Sequence, residues 1–228
     1  MATPAGSEDH RFTSWSDPEQ VEGYLARVGG LEPRIAGEQA LLSLLPTAPD
    51  SLLDLGCGDG RLAARVVDAC PGIRSVVAVD SSPAMLDHAR ARFDGDPRVT
   101  VRSWDLADPL VPLGAFDVIV SGFAIHHLDD GRKRSLLGEV ARMLKPGGLF
   151  ANLEVVASAT PELHREFLAL IGRPDDDPED RLTGIEPQLG WMRSAGLTRV
   201  DCFWRWRGFA LLAGAAPVGA GRGVAGGD

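Results

Sequence analysis

At 228 residues, 44% hydrophobic and 24% charged, the chain has room for one domain with a sizeable core. Its formal charge of −9 argues against extended phosphate-backbone binding, which draws mainly on Lys and Arg, so nucleic acid is a poor partner and a small neutral or cationic ligand an easier one. No basic-then-apolar leader opens the sequence and no run of about 18 apolar residues occurs, so neither a signal peptide nor a membrane span is expected.

Residues 1–45 read as an N-terminal helical cap, with WSDPEQVEGYLARV as a helical stretch that carries Tyr24, the single tyrosine. SLLDL (51–55) and SVVAVD (75–80) are short apolar runs, the form of strands buried on both faces of a parallel sheet. Between them Leu62, Val66 and Cys70 recur every four residues and predict a helix. Ser82-Pro83 is a helix start, a hydroxyl cap followed by proline at the first position. RVTVRSWD (98–105) and FDVIVSG (116–122) predict a third and a fourth strand. Residues 132–144 form an amphipathic pattern that stops at Lys145-Pro146-Gly147-Gly148, and LFANLEVV (149–156) predicts a fifth strand. VDCFWRW (200–206) and FALLAG (209–214) flank Arg207-Gly208, a gap too short for a helical crossover, so they are expected to pair antiparallel. Residues 46–213 then form one α/β domain, and the Gly/Ala-rich 214–228 a disordered tail.

The glycine loop at 56–60 leaves the first strand where open α/β sheets bind ligands. Gly56 and Gly58 permit close backbone approach, helix-start N–H groups favour an anionic group, and Asp80 ends the second strand, placed to accept from two ribose hydroxyls. These features point to a nucleoside-containing cofactor. Arg61 stands where the dinucleotide fingerprint needs its third glycine, which disfavours a nicotinamide enzyme. Cys57, Cys70 and Cys202 lack metal-ligand spacing; they read as free thiols of a reducing cytoplasm, and no metal site is expected.

LLDLGCGDGRLAARV, VVAVDSSPAMLDHARARF, VRSWDLAD, FDVIVSGFAIHHL and LKPGGLF follow one another as do the motifs of class I S-adenosylmethionine (SAM) dependent methyltransferases, which the chain resembles over about residues 50–156. The resemblance implies a Rossmann-like three-layer sandwich with a mostly parallel seven-stranded sheet and a C-terminal antiparallel hairpin. It implies SAM as cofactor and S-adenosylhomocysteine (SAH) as product. It also implies that Asp54 and the Gly56-Cys57-Gly58 loop face the methionine part, that Asp80, Ser81 and Met85 hold the ribose and adenine side, and that Asp105 and Leu106 lie at the adenine amino group. Ser121 and Phe123 would line the mouth near the sulfonium, and Arg34 could reach the SAM carboxylate.

For chemistry, His127 in AIHHLDD resembles a histidine that small-molecule methyltransferases use catalytically, paired in the phosphobase group with a tyrosine on an N-terminal helix, here Tyr24. His126 is the competing base. Glu154 and His164 fall where the family places acceptor contacts, although packing roles suit them as well. RPDDDPEDR (173–181) is an acidic loop, and Trp204 and Trp206 read as core packing. The acceptor is expected to be a small molecule methylated on oxygen or nitrogen, with a homodimer compatible. A tRNA-modifying relative and a non-catalytic SAM-binding regulator stand as alternatives.

Overall fold

The computed structural model describes residues 18–110, 113–173 and 175–218. Seven strands, β1 (Ser51–Leu55), β2 (Ser75–Asp80), β3 (Val99–Ser103), β4 (Phe116–Gly122), β5 (Leu144–Val155), β6 (Thr198–Trp206) and β7 (Phe209–Ala215), form one sheet in the order β3-β2-β1-β4-β5-β7-β6. The first five are parallel and β7 runs against both β5 and β6. Strand order reverses between β1 and β4, which opens a crevice at their carboxyl ends.

All five residues of β1 are buried, as a central strand with two covered faces requires. Period-two alternation divides the core. Leu53, Leu55, Val77, Val79, Ile119 and Phe150 meet α5 (Asp130–Met143) and α7 (Ile185–Ser194). Leu52, Val76, Val118, Val120, Ala151 and Leu153 meet α2 (Glu32–Leu42) and α3 (Arg61–Ala69). α4 (Pro83–Arg92) covers β2 and β3, starting at Ser82, whose hydroxyl accepts from the Met85 N–H. Within the N-terminal segment, α2 is thus part of the sandwich, whereas α1 (Pro18–Val28) touches α4 across the crevice.

Three boundaries differ from the sequence reading. β5 starts at Leu144, before the Lys-Pro-Gly-Gly breaker, because the partner register jumps from Phe116↔Leu144 to Val118↔Leu149 and those four residues bulge out of the ladder. Gly148 is needed there: a Cβ would meet the Lys145 carbonyl oxygen at 2.9 Å. β3 ends at Ser103, since Asp105 turns the chain by accepting from the Ala107 N–H. β7 continues to Ala215 with Ala216 buried, so the ordered hairpin passes the boundary expected at 213; residues 219–228 lie outside the described ones. α6 (Pro161–Leu170) precedes the acidic loop and packs Phe167 and Leu168 beside Phe209. Trp204 and Trp206 are half-buried against this packing. No helix among the described residues is long and apolar enough to cross a membrane.

Candidate active site

Two clefts meet at the carboxyl ends of β1, β2 and β4. The first, about 980 Å³ including space open to solvent, is floored by the glycine loop. Gly56 (φ 67°) and Gly60 (φ 77°) are left-handed, and both positions are tight: a Cβ would meet the Ala124 Cβ at 2.2 Å from Gly56 and the Phe93 ring at 2.6 Å from Gly60. Side chains are absent because neighbouring elements already fill that space, and the loop backbone is left facing the cleft.

Asp54 is fully buried. Its Oδ2 accepts from the Ala63 N–H (3.1 Å), while Oδ1, also buried, has no protein partner. Burial, with Asp80 and Asp59 nearby, pushes its carboxyl up to about 7. Asp80 accepts from the Gly58 N–H (2.8 Å) and the Ser82 N–H (2.9 Å), tying the end of β2 to the loop; burial raises its pKa against those donors. Cys57 contributes backbone, its N–H donating to the Val79 carbonyl, and burial pushes its thiol up. Ser81, Met85, Asp105, Leu106 and Phe123 line the same cleft. Ser121 does not: it is buried in β4 and its hydroxyl donates to the Leu55 carbonyl (2.8 Å). Trp104, which the sequence reading passed over, lines the cleft with a buried indole N–H that lacks a protein acceptor.

Glu38 was also missed. In sequence it is an ordinary i,i+4 partner of Arg34; in the fold it is 2% exposed and accepts from Arg34 Nε (3.1 Å), Arg61 Nε (3.0 Å) and Arg65. Burial opposes its charge, but the arginines hold its pKa below the usual range. Arg61, at the position of the missing glycine, also donates to the Gly29 carbonyl (3.2 Å), so this cluster fixes α2 and the start of α3 to one another. The Arg34 guanidinium lies 5.2 Å from the centre of the Phe123 ring. Phe123 itself has φ 57°, a strained value for a side-chain-bearing residue.

The second cleft, about 770 Å³, opens between α1, α6 and the acidic loop. It shares Tyr24, Arg34, Phe123 and His127 with the first. His126 is held between two carboxylates, Nδ1 2.5 Å from Glu154 and Nε2 3.3 Å from Asp180. Burial would lower its pKa, but the Glu154 charge and the Asp180 contact push it up to about 9. His127 Nδ1 lies 3.5 Å from Asp180, and burial beside the charged His126 pulls its pKa down to about 4. Two adjacent histidines are therefore split, one an imidazolium and one a neutral base. Asp180 comes from the acidic loop, 53 positions beyond His127. That loop is pinned by the buried Lys133, which donates to the Arg181 carbonyl and to Thr183 Oγ1 (2.8 Å), and by the Arg181 N–H, which donates to the His126 carbonyl (2.9 Å). His164 reaches Asp176 (2.6 Å) at the loop's outer side.

Known proteins place this geometry. A family model described as a methyltransferase domain matches residues 52–148. An uncharacterized methyltransferase of Mycobacterium tuberculosis is 37% identical over 151 residues, covering 65% of this chain and 58% of its own length. The 27-O-demethylrifamycin SV methyltransferase of Amycolatopsis mediterranei is 28% identical over 161 residues, with the same two shares. Human N-acetylserotonin methyltransferase in complex with SAM shares the fold at a TM-score of 0.65 and 17% identity, over 89% of this chain and 57% of that one. The chain spans a little over half the length of the curated relatives it matches. Residues 52–148 thus match a methyltransferase domain, and the seven-stranded sheet has the Rossmann-like fold of the SAM-dependent methyltransferases that the chain is similar to.

Proposed function

We propose that the chain transfers the methyl group of SAM to a nucleophile, oxygen before nitrogen, of a small-molecule acceptor. The observation that carries this reading is the meeting of two clefts at Tyr24, Arg34, Phe123 and His127. One cleft has the groups a nucleoside amino acid needs; the other offers a second molecule access to a neutral imidazole.

The residues fit SAM on their own chemistry. The unpartnered Asp54 Oδ1 suits an ammonium, the exposed loop backbone a carboxylate, Asp80 a ribose diol, and the Trp104 and Asp105 side an adenine. When bound, SAM supplies an electrophilic methyl on a sulfonium, so the protein's own work is alignment and proton removal. His127 takes the proton of the attacking hydroxyl, and Asp180 stabilises the imidazolium that forms. His126 is already protonated at neutral pH and serves to hold Glu154 and Asp180 in place. Tyr24 and Arg34 close the junction from α1 and α2. The name of the Amycolatopsis relative supports a hydroxyl-bearing acceptor of this general kind.

The test combines the protein, SAM carrying a deuterated methyl group and a small-molecule cell extract, followed by mass spectrometry. A labelled small molecule is expected with the wild type. His127→Asn should slow its formation on the order of 10²- to 10⁴-fold, the usual contribution of a general base. Label found only in RNA or protein, or an unchanged rate in His127→Asn, refutes the assignment.

A further inference from the structure

Three side chains of metal-ligating type converge at the second cleft. One donor atom each of His126, His127 and Asp180 lies within 4.8 Å of the others, the one such group of three among the described residues, and all three line that cleft. The short turn Ile125–His127 sets the two imidazoles side by side, ring centres 4.0 Å apart and planes tilted by 41°. Asp180 arrives from the acidic loop, so chain spacing gave no sign of a metal. The Lys133 and Arg181 contacts hold that loop against the turn.

Asp180 Oδ1 is 3.3 Å from His126 Nε2 and 3.5 Å from His127 Nδ1, yet it is buried with no hydrogen-bond partner. The other oxygen, Oδ2, turns to Arg173 at 4.0 Å. Such separations are those of ligands around one ion. Donors about 2.0–2.1 Å from a tetrahedral Zn²⁺ stand about 3.4 Å apart, whereas an octahedral Mg²⁺ would draw them to about 2.9 Å. A second observation agrees. His126 Nδ1–H donates to the buried Glu154 (2.5 Å), and a metal-binding imidazole characteristically gives its other N–H to a carboxylate, which aims the remaining nitrogen. Two imidazoles and a carboxylate suit Zn²⁺ and leave a fourth position for water, while Mg²⁺ and Ca²⁺ take oxygen donors.

We infer that His126 Nε2, His127 Nδ1 and Asp180 Oδ1 form a binding site for one zinc-type divalent cation, and that this ion and proton removal by His127 exclude each other. On binding, the His126 Nε2 proton leaves to solvent and the ion takes its place, while Nδ1–H stays on Glu154. The His127 ring then holds the ion through Nδ1 and a proton on Nε2, so no lone pair is left for an acceptor hydroxyl. The site stands apart from the methyl-transfer reading; only its effect on turnover rests on that reading.

The test titrates the chelator-treated full chain with Zn²⁺ and, for comparison, Mg²⁺ by calorimetry, and records the absorption of the Co²⁺-loaded chain. One Zn²⁺ per chain is expected, bound at least about a hundredfold tighter than Mg²⁺. Co²⁺ should show the intense visible bands of a tetrahedral site without the thiolate charge-transfer band that Cys57, Cys70 or Cys202 would produce. Asp180→Asn and His127→Asn should each weaken Zn²⁺ at least about tenfold, and His164→Asn should leave it unchanged. If Asp180→Asn does not fold, His127→Asn decides. No Zn²⁺ binding, a thiolate band, or binding insensitive to both variants overturns the site. In the deuterated-SAM assay above, Zn²⁺ should slow labelling in step with its occupancy and a chelator should restore it; full-rate labelling by the zinc-loaded chain overturns the exclusion. The titration needs neither SAM nor acceptor, so a chain without methyl transfer would remove the proposed function and leave the site decided by binding alone.

Discussion

Lowering the pH from 8 to 6 should weaken SAH binding about tenfold, and the group responsible is Asp54. Its carboxyl is fully buried and held up to about 7, with Oδ1 unpartnered in the cleft. An ammonium opposite that oxygen favours the carboxylate, so binding must strip the proton wherever Asp54 carries one. With a pKa near 7, about 0.9 of the molecules are protonated at pH 6 and about 0.1 at pH 8, which sets the proton released on binding and the tenfold loss, about 1.4 kcal/mol. The neighbouring histidines do not interfere, since His127 titrates near 4 and His126 near 9. The assay is calorimetry at both pH values in buffers of different ionisation enthalpy, which counts protons directly. Asp54→Asn keeps an acceptor for the Ala63 N–H, and should bind SAH more weakly at pH 8 yet with no pH dependence. Affinities within twofold of each other at the two pH values, or a tenfold drop that persists in Asp54→Asn, would refute the reasoning.

Three further outcomes are expected. Gly56→Ala combines a left-handed φ with a Cβ 2.2 Å from Ala124, so SAH affinity should fall more than tenfold and the melting temperature should drop by several degrees in a thermal scan. His126 has its pKa raised in the fold. Its contribution to stability is therefore complete below about pH 6.5 and lost as pH rises through about 9, up to about 3 kcal/mol, which urea midpoints between pH 6 and 10 should follow in the wild type and not in His126→Asn. Lys133→Met removes the buried donor to Arg181 and Thr183. It should destabilise the chain by about 1–3 kcal/mol and speed amide exchange across 175–183, and unchanged exchange there would disprove the pin.

The sheet and the cofactor loop were legible because each rests on local pattern. Double-faced strands such as SLLDL carry leucines on both faces, the helix between β1 and β2 repeats every four residues, and the loop glycines sit beside an acid at the end of β2. The bulge at 145–148 was not legible, since a Pro-Gly-Gly run marks a break without saying whether the ladder resumes on both sides of it. Glu38 and Lys133 were missed for a different reason. Each looks like a helix-surface charge, and only the fold brings Arg61 and Arg65 to the one and the loop carbonyl at 181 to the other. Asp180 sits in a run of acids that composition treats as solvated, and its contact with His126 depends on the loop returning to the 125–127 turn, where the Arg181 N–H donates to the His126 carbonyl. Ser121 shows the reverse limit. A position in a family motif need not face the ligand, and here the hydroxyl joins two strands.

The three-arginine cluster on Glu38 has a consequence for traffic through the protein. Because it fastens α2 to α3 in a buried ion group, and because Arg61 also grips the Gly29 carbonyl, the roof of the crevice cannot rise there without separating those charges. The tie ends at the Gly29 carbonyl, so α2, α3 and the glycine loop that opens α3 are held as one unit, with the eleven residues of α1 lying on the far side of that anchor.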